Sequence, residues 1–458
     1  MTERQRQHEQ APEIRRSNFE AVESNFTDEQ AVLEASRCLN CKKPKCVEGC
    51  PVNINIPAFI KEIKEGNVEK AGRVIRESSF LPSICGRVCP QERQCESRCV
   101  LGIKGEPVSI GALERYAGDL SNAEIPVIKE SGKKAAIIGS GCAGLSAAAD
   151  LRKAGHQVVV FEALHKLGGV LRYGIPPFRL PRKFLDREIK NLQDMGVKFV
   201  KNAAAGKSIT IKQLQEDGFD AVFIASGAGL PKMMGIKGEN LNGVYSANEF
   251  LTRINLMQAH LGETATPVRI GNKAAVIGGG NVAMDAARTA LRIGFKEVYI
   301  AYRRTEAELP ARLEEIRHAK EEGIIFKFLL APKEIYDKDG FVNGMQFEVM
   351  ELGEADASGR RAPVPTGKMI DLDVDTVIVA LGTGPNRIIQ DSMLEEKMNL
   401  ETDKKGYIII DAETGKTSIE GVYAGGDAAP AGASSTAINA MGAGRRAAKA
   451  INEYLASK

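Results

Sequence analysis

No stretch of the 458-residue chain holds the roughly 18 consecutive apolar residues that a membrane-spanning helix requires, so no membrane span is expected. Neither sign of charge is in excess. Lys and Arg number 62 against 59 Asp and Glu, a formal +3, which leaves no electrostatic footprint for nucleic acid. The opening residues, MTERQRQHEQ, are charged and lack the apolar centre of an export signal, so a cytoplasmic location is expected. Histidine is scarce: the five present are scattered and form no ligand or catalytic pairing. The apolar content, 43%, is enough for a sizeable core, and the length suits about three domains.

Cysteine is the compositional anomaly. Eight of the nine fall between Cys38 and Cys99. In a reducing compartment such crowding points to metal or redox chemistry rather than to disulfides. Thr27-Asp28-Glu29-Gln30 has the form of a capping box, opening a helix that leads into Cys38, Cys41, Cys46 and Cys50-Pro51. A second set follows: Cys85, Cys89-Pro90, Cys95 and Cys99. Between them, residues 56–78 read as one or two amphipathic helices, with Phe59, Ile60 and Ile63 on one face. Two thiolate sets joined by a helical hairpin can share ligands. The spacing C-x2-C-x4-C-x3-C-P matches ferredoxin-type runs whose fourth cysteine serves the other cluster, which makes iron–sulfur the sharper reading. Two four-thiolate zinc sites would also use eight cysteines; against zinc, only one C-x2-C pair occurs.

The stretch 134–163, KAAIIGSGCAGLSAAADLRKAGHQVVVFEA, reads as strand, tight turn, helix, strand. Gly139 permits the turn, Gly141 lets backbone approach a pyrophosphate, and Gly144 lets helix and strand pack closely, with Ser140, Cys142 and Ala143 between them. The helix N-terminus offers free N–H groups to phosphate. Glu162, ending the second strand, is placed to accept hydrogen bonds from a ribose. The stretch 273–304 repeats the unit, with Gly278, Gly280, Asn281 and Val282 at the turn. Its second strand ends in Arg303 and Arg304 instead of an acid. An acid would repel a 2′-phosphate and arginines bind it, so this site is assigned to NADP(H), with Arg312 a candidate third phosphate partner.

DAVFIASG (220–227) recurs almost residue for residue as DTVIVALG (375–382), ending at Gly382, which suggests two similar subdomains with one returning strand each. GVYAGGD, residues 421–427, is a strand ending in Gly426 and Asp427. Ser434, Ser435, Thr436 and Ala437 then open the last helix.

The run CLNCKKPKCVEGCPVNINIPAFIKEIKEGN, with LPSICGRVCPQERQCESRCVLGIKGEPVSIGALERY, resembles the N-terminal cluster domain of the glutamate synthase small subunit family. The same domain occurs in the large (beta) subunit of NADH-dependent reduced ferredoxin:NADP oxidoreductase and in dihydropyrimidine dehydrogenase. CVLGIKGEPVSIGALERY is most similar to the ferredoxin:NADP oxidoreductase version, and the resemblance runs over nearly the whole chain. It implies that Cys38, Cys41, Cys46 and Cys99 hold one [4Fe–4S] cluster. Cys50, Cys89, Cys95 and Glu114 would hold the other, with Cys85 as a neighbour. It implies that the GG-x-L-x-x-G-I-P run, carrying Gly169, Leu171, Arg172, Gly174 and Ile175, lies against the flavin of FAD. Asp427 would contact the ribityl chain, and the helix at Thr436 would face the flavin ring. Cys142 stands where these proteins more often have proline and is read as a small filler.

The expected fold class is α/β. Two Rossmann-like dinucleotide-binding domains, for FAD and NADP, follow an α-helical iron–sulfur domain. The expected boundaries are 1–126 for the cluster domain, 127–245 and 372–458 for the FAD domain, and 246–371 for the NADP domain. The implied function is an oxidoreductase subunit that exchanges hydride with NADP(H) at FAD and single electrons through two clusters with a partner subunit. The first candidate is an electron-bifurcating ferredoxin:NADP oxidoreductase, whose partner carries flavin and iron–sulfur and reaches ferredoxin. The second is the glutamate synthase small subunit, whose partner is the large subunit. A zinc-containing NADP-sensing adaptor is the alternative of another class. A disulfide reductase is disfavoured, because no C-x-x-C lies in the NADP domain. No catalytic side chain is named, since hydride transfer between stacked rings needs little acid–base help.

Overall fold

The computed structural model describes residues 3–122, 128–355, 359, 361–432 and 435–458. The expected boundary at 126/127 and Ser434 lie outside them.

The capping box forms as expected. Thr27 Oγ1 accepts from Gln30 N, and the Gln30 side chain accepts from Thr27 N, opening helix α1 (Asp28–Ser36). The apolar stretch that follows is two helices, α2 (Ile56–Lys64) and α3 (Val68–Arg76), with Phe59, Ile60, Ile63 and Ile75 fully buried. Helices α4 (Pro82–Val88) and α5 (Ile110–Leu120) cross so tightly that glycine is obligatory on both. A Cβ at Gly86 would lie 2.5 Å from Arg115 N, and one at Gly118 2.6 Å from Ser83 N. That crossing sets Glu114 against the second cysteine set.

The first nucleotide-type unit comprises strands β1 (Lys134–Ile138), β2 (Gln157–Glu162), β3 (Lys198–Lys201) and β4 (Ala221–Ile224), with helix α6 (Cys142–Lys153) after β1. The second comprises β5 (Val244–Ser246), β6 (Lys273–Ile277), α7 (Asn281–Ile293), β7 (Glu297–Tyr302), α8 (Leu313–Glu321) and β8 (Ile325–Phe328). A three-stranded antiparallel sheet follows, β9 (Leu330–Lys338), β10 (Phe341–Ala355) and β11 (Arg361–Leu372), and it packs on the back of the second unit through Ile335, Met345 and Phe347. The chain ends with β12 (Thr376–Val379), β13 (Val422–Ala424) and helix α9 (Ala437–Ala456). The two parallel sheets have the orders β13-β4-β1-β2-β3 and β5-β12-β6-β7-β8. Short parallel strands with both faces covered explain the unbroken apolar runs in the sequence.

The repeated DAVFIASG and DTVIVALG segments occupy equivalent places: β4 pairs with β1, and β12 pairs with β6. This corrects two expected boundaries. β12 belongs to the second sheet, so the return to the first unit comes after Val379 and not at 371/372, and β5 places Val244 in the second unit already. The crossings themselves form a short antiparallel ladder, Leu230–Pro231 against Thr383–Gly384. Among the described residues, no helix is long and apolar enough to cross a membrane.

A buried arginine–carboxylate network within the second unit is extended by Arg15 of the cluster domain and Arg179 of the first unit. Arg288, fully buried, meets Glu322 at 2.7 Å and also pairs with Glu315. Arg292 and Arg15 add contacts to the same Glu322 at 2.7 and 3.2 Å. Arg179 joins Asp285 and Glu315 at 2.7 and 3.0 Å. Burial raises the Glu322 pKa, but hydrogen bonds from Arg292 and Arg288 outweigh it and bring the group to about 2. Its folded value lies below the unfolded one, so its stabilisation is complete above pH 4.5 and is lost as pH falls toward 2. Glu322→Ala takes the carboxylate partner from the buried Arg292 and leaves Arg288 with Glu315, and is expected to cost about 3–5 kcal/mol. Urea unfolding at neutral pH measures the loss, and the same comparison near pH 2 should show a smaller one.

Candidate cofactor sites

The first turn has two kinds of glycine. Gly139 has φ +107, and a Cβ on it would lie 2.4 Å from Ala225 O; one on Gly144 would lie 1.9 Å from Gly139 O. Both are dictated by the fold. Gly141 is not: its φ of −77 and ψ of −172 suit any residue, and a Cβ there meets nothing within 4 Å. The open space in front of Gly141, at the start of a 12-residue helix, fits a phosphate. Ser140 is fully buried, and its N and Oγ both donate to Glu162 Oε2, at 3.0 and 2.5 Å. Leu164 N donates to Glu162 Oε1 at 2.9 Å, so the carboxylate is held at the strand end.

The Gly168-Gly169 loop lies directly on this turn. Gly168 N donates to Ser140 Oγ at 2.9 Å, and a Cβ on Gly169 would lie 2.9 Å from Gly141 Cα. Leu171 is buried, and a Cβ on Gly174 would lie 2.7 Å from the Val170 side chain. Arg172 turns away, giving a hydrogen bond to Leu167 O and pairing with Asp186. From the other segment, Gly426 approaches Ala143, and Asp427 follows it in a short 3-10 turn. Burial raises the Asp427 pKa, and a hydrogen bond with Ser435 lowers it. Thr436 caps α9, its hydroxyl accepting from Asn439 N at 3.3 Å, with Ala437 opening the helix. These two segments therefore converge around one site.

Sequence reasoning missed the residues that hold the loop. Arg182 donates to Leu171 O and Ile175 O at 2.9 and 2.8 Å, and Asn255, from the second unit, donates to Tyr173 O at 3.1 Å. Burial, with Asp427, Glu162 and Cys142 nearby, pushes the Tyr173 phenol up to about 12. A side chain serving a backbone carbonyl leaves no motif.

The second turn repeats the division. Gly278 has φ +142, and a Cβ on it would lie 2.4 Å from Ala380 O, whereas Gly280 has φ −87 and an open Cβ direction. Asn281 Oδ1 accepts from Arg312 N at 2.9 Å, and Val282 is exposed at the start of α7. Arg303 is exposed just past β7, and Arg304 donates to Arg361 O. The expectation for Arg312 is corrected. It is buried, and its guanidinium serves Arg87 O at 2.7 Å, Gln91 Oε1 at 2.9 Å and Glu314 at 3.1 Å, which ties the cluster domain to the second unit. Gly382 lies at the crossing, where its carbonyl accepts from Lys232 N.

The cysteines separate as two groups. Cys38, Cys41, Cys46 and Cys99 are partly exposed and line one open pocket of about 420 Å³ together with Ile56 and Ile60. Cys50, Cys89 and Cys95 are buried, and each is within electrostatic reach of Glu114. Glu114 is 5% exposed, its Oε1 has no hydrogen-bond partner among the described residues, and burial pushes its pKa up to about 8. Burial likewise pushes the Cys46 and Cys50 thiols up to about 11. All nine cysteines are free thiols. A further group, Glu9, Glu23, Glu314 and His318, has ligand-type atoms within 4.8 Å of one another. Each of these carboxylates already has an arginine: Arg317 on Glu9, Arg115 on Glu23 and Arg312 on Glu314. That group is an ion-pair network, not a cation site.

A family model described as dihydropyrimidine dehydrogenase domain II, 4Fe-4S cluster, matches residues 15–125. Another, described as pyridine nucleotide-disulphide oxidoreductase, matches residues 133–444. The glutamate synthase [NADPH] small chain of Escherichia coli is 36% identical over 96% of this chain and 95% of its own length. The chain belongs to the glutamate synthase small subunit family. A second relative, the NADP(+)-dependent formate dehydrogenase subunit beta of Moorella thermoacetica, is 39% identical over 90% of this chain, which spans 60% of that protein's length. Among solved structures, Mycobacterium tuberculosis FprA in complex with NADPH is similar at 23% identity and a TM-score of 0.60, covering 71% of this chain and 85% of that one. The thioredoxin reductase of T. acidophilum is similar at 20% identity and a TM-score of 0.52, over 70% of this chain and 99% of that one. Those two likenesses show the fold. As a member of the family, the chain is an NADP-dependent FAD and iron–sulfur oxidoreductase, and the zinc alternative falls away.

The residues present fit these groups. The orphaned Glu114 oxygen amid three buried thiols is what an iron cluster would satisfy, and thiols that resist ionisation in apolar surroundings ionise on a metal. The open Cβ directions at Gly141 and Gly280 fit dinucleotide pyrophosphates. Gly141→Ala is therefore expected to fold normally yet weaken FAD binding by about 1–3 kcal/mol through crowding. Apoprotein titration with FAD reads this directly. Gly144→Ala should instead reduce the yield of folded protein.

Proposed function

We propose that this chain exchanges a hydride with NADP(H) and single electrons with a partner subunit, most closely as in electron-bifurcating ferredoxin:NADP oxidoreductase. When bound, FAD supplies the conversion between two-electron and one-electron chemistry. The side chains hold and orient. Gly139, Gly141, Gly144 and Glu162 would seat the FAD pyrophosphate and ribose; Asp427 would meet the ribityl chain. Gly278, Gly280 and Asn281 would seat NADP(H), with Arg303 and Arg304 on its 2′-phosphate. Cys38, Cys41, Cys46 and Cys99 would hold an outer [4Fe–4S] cluster, and Cys50, Cys89, Cys95 and Glu114 an inner one. The α9 N-terminus would place a partial positive charge beside the flavin ring.

The observation that carries the reading is that α9 is shared. Its first turn belongs to the candidate flavin site, and its second turn packs on the cluster domain, where a Cβ on Gly442 would lie 3.2 Å from Pro51 O, next to Cys50. One rigid helix thus fixes the flavin site relative to the inner cysteine set.

A second reading, the small subunit of NADPH-dependent glutamate synthase, is supported by the near-complete mutual coverage with the Escherichia coli small chain. The two differ in partner. Co-purification from native extract separates them: a flavin and iron–sulfur subunit for the first, an amidotransferase chain for the second. Nine free thiols suit a cytoplasmic location.

A further inference from the structure

The second unit carries a carboxylate close to the arginines read as its phosphate partners. Glu308 ends a short 3-10 turn (Glu306–Glu308) that follows Arg304 and Thr305. The turn is anchored beside the second Gly-rich loop. Glu308 O accepts from the Tyr302 hydroxyl at 2.9 Å, and a Cβ on Gly279 would lie 2.6 Å from the Leu309 side chain and 2.8 Å from the Tyr302 ring. An unbalanced negative charge here would oppose a 2′-phosphate.

The charge is balanced. The Glu308 side chain is 8% exposed, and both of its oxygens are occupied. Oε2 accepts from Thr305 N and Oγ1, at 3.1 and 2.5 Å. Oε1 accepts from Arg361 Nε at 2.9 Å, and Arg361 Nη2 lies 2.8 Å from the same atom. The hydrogen bond from Thr305, opposed by burial and joined by that from Arg361, holds the carboxyl below its ordinary range, so it is an anion at neutral pH. Glu306, the other acid of the turn, pairs with Lys320 at 2.6 Å. Among the described residues, no cation besides Arg361 pairs with Glu308.

Arg361 opens β11, and its main chain serves the same place. Its carbonyl accepts from Arg304 Nε at 2.7 Å. That bond fixes the Arg304 head while its terminal nitrogens can still donate elsewhere. Without Arg361, the remaining cations beside the turn are Arg303 and Arg304, and Glu308 would compete with a phosphate for them.

We propose that Arg361 is a positioning residue for coenzyme selection: its guanidinium neutralises Glu308 and its carbonyl orients Arg304, which leaves both strand-end arginines to a 2′-phosphate. The proposal rests on the reading that Arg303 and Arg304 meet that phosphate.

The test is steady-state dye reduction by the holoprotein with NADPH and with NADH. Arg361→Ala is expected to lower kcat/KM for NADPH roughly 3- to 10-fold relative to that for NADH, through KM and not kcat. Arg361→Lys keeps the charge and should recover most of the preference. Glu308→Gln keeps the capping box, so it folds, and removes the opposing charge. Placed in the Arg361→Ala background, it should restore the preference for NADPH. A preference unmoved by Arg361→Ala, or an equal fall for both coenzymes, overturns the proposal. A double variant no better than Arg361→Ala also overturns it, since Arg361 would then bind the phosphate itself. An Arg303→Ala variant with an unchanged NADPH-to-NADH ratio would instead defeat the underlying reading, a result distinct from these.

Discussion

Glu114→Ala is expected to abolish one of two cluster EPR signals and leave the other intact, with iron falling from about eight to about four per chain. The cause is electrostatic. Glu114 is 5% exposed, and its Oε1 has no hydrogen-bond partner among the described residues. Its neighbours of interest, Cys50, Cys89 and Cys95, are themselves acids, so the site gathers four potential anions. A buried carboxyl without a partner costs about 1–3 kcal/mol. Such a group is tolerated where something cationic occupies the site, and iron does that. Two further results follow. Glu114→Cys should keep both clusters and shift the potential of one. The apoprotein should be stabilised by Glu114→Ala by about the same 1–3 kcal/mol, because the orphaned oxygen is gone. Two unchanged EPR signals in Glu114→Ala would remove it from the ligand set.

The second large effect is on coenzyme choice. Arg303 is exposed at the end of β7, and Arg304 beside it gives, among the described residues, a hydrogen bond to the backbone oxygen of Arg361. Both have donors to spare for a 2′-phosphate. A charge-assisted hydrogen bond contributes about 1.5–3 kcal/mol, so Arg303→Ala should lower kcat/KM for NADPH roughly 10- to 100-fold. The rate with NADH should barely move, because NADH has no 2′-phosphate to lose contact with. Steady-state dye reduction with both coenzymes measures the ratio. An equal fall for both would place Arg303 in general binding and not in selection.

Much of this was legible from local pattern. The capping box at Thr27, the hairpin of α2 and α3, and both Gly-rich turns depend on residues a few positions apart. Periodicity and turn chemistry act over that range. The repeated DAVFIASG and DTVIVALG segments even held the correct boundary: if one returns beside β1, its copy returns beside β6, and 371/372 comes too early. What stayed hidden depends on distant partners. Arg15 meets Glu322 and Arg179 meets Asp285, 307 and 106 residues apart, and no spacing announces such pairs. Arg312 follows the second turn closely enough to suggest a phosphate contact, but its guanidinium is committed to the cluster domain. The sheet of β9 to β11 left no trace in the reading because its strands are long, bulged and largely exposed on one face. At the candidate sites, the helpers Arg182 and Asn255 serve backbone carbonyls, and no sequence pattern marks them.

The central claim is that one bound flavin links an NADP(H) site to two iron–sulfur clusters. Anaerobic titration of the brown holoprotein with NADPH, followed by absorbance with iron and FAD analysis of the same sample, tests it most directly. The account predicts about eight iron atoms and one FAD per chain, and flavin absorbance that bleaches with NADPH far more readily than with NADH. A preparation that is fully folded yet colourless, or a flavin that NADPH leaves oxidised, would contradict it.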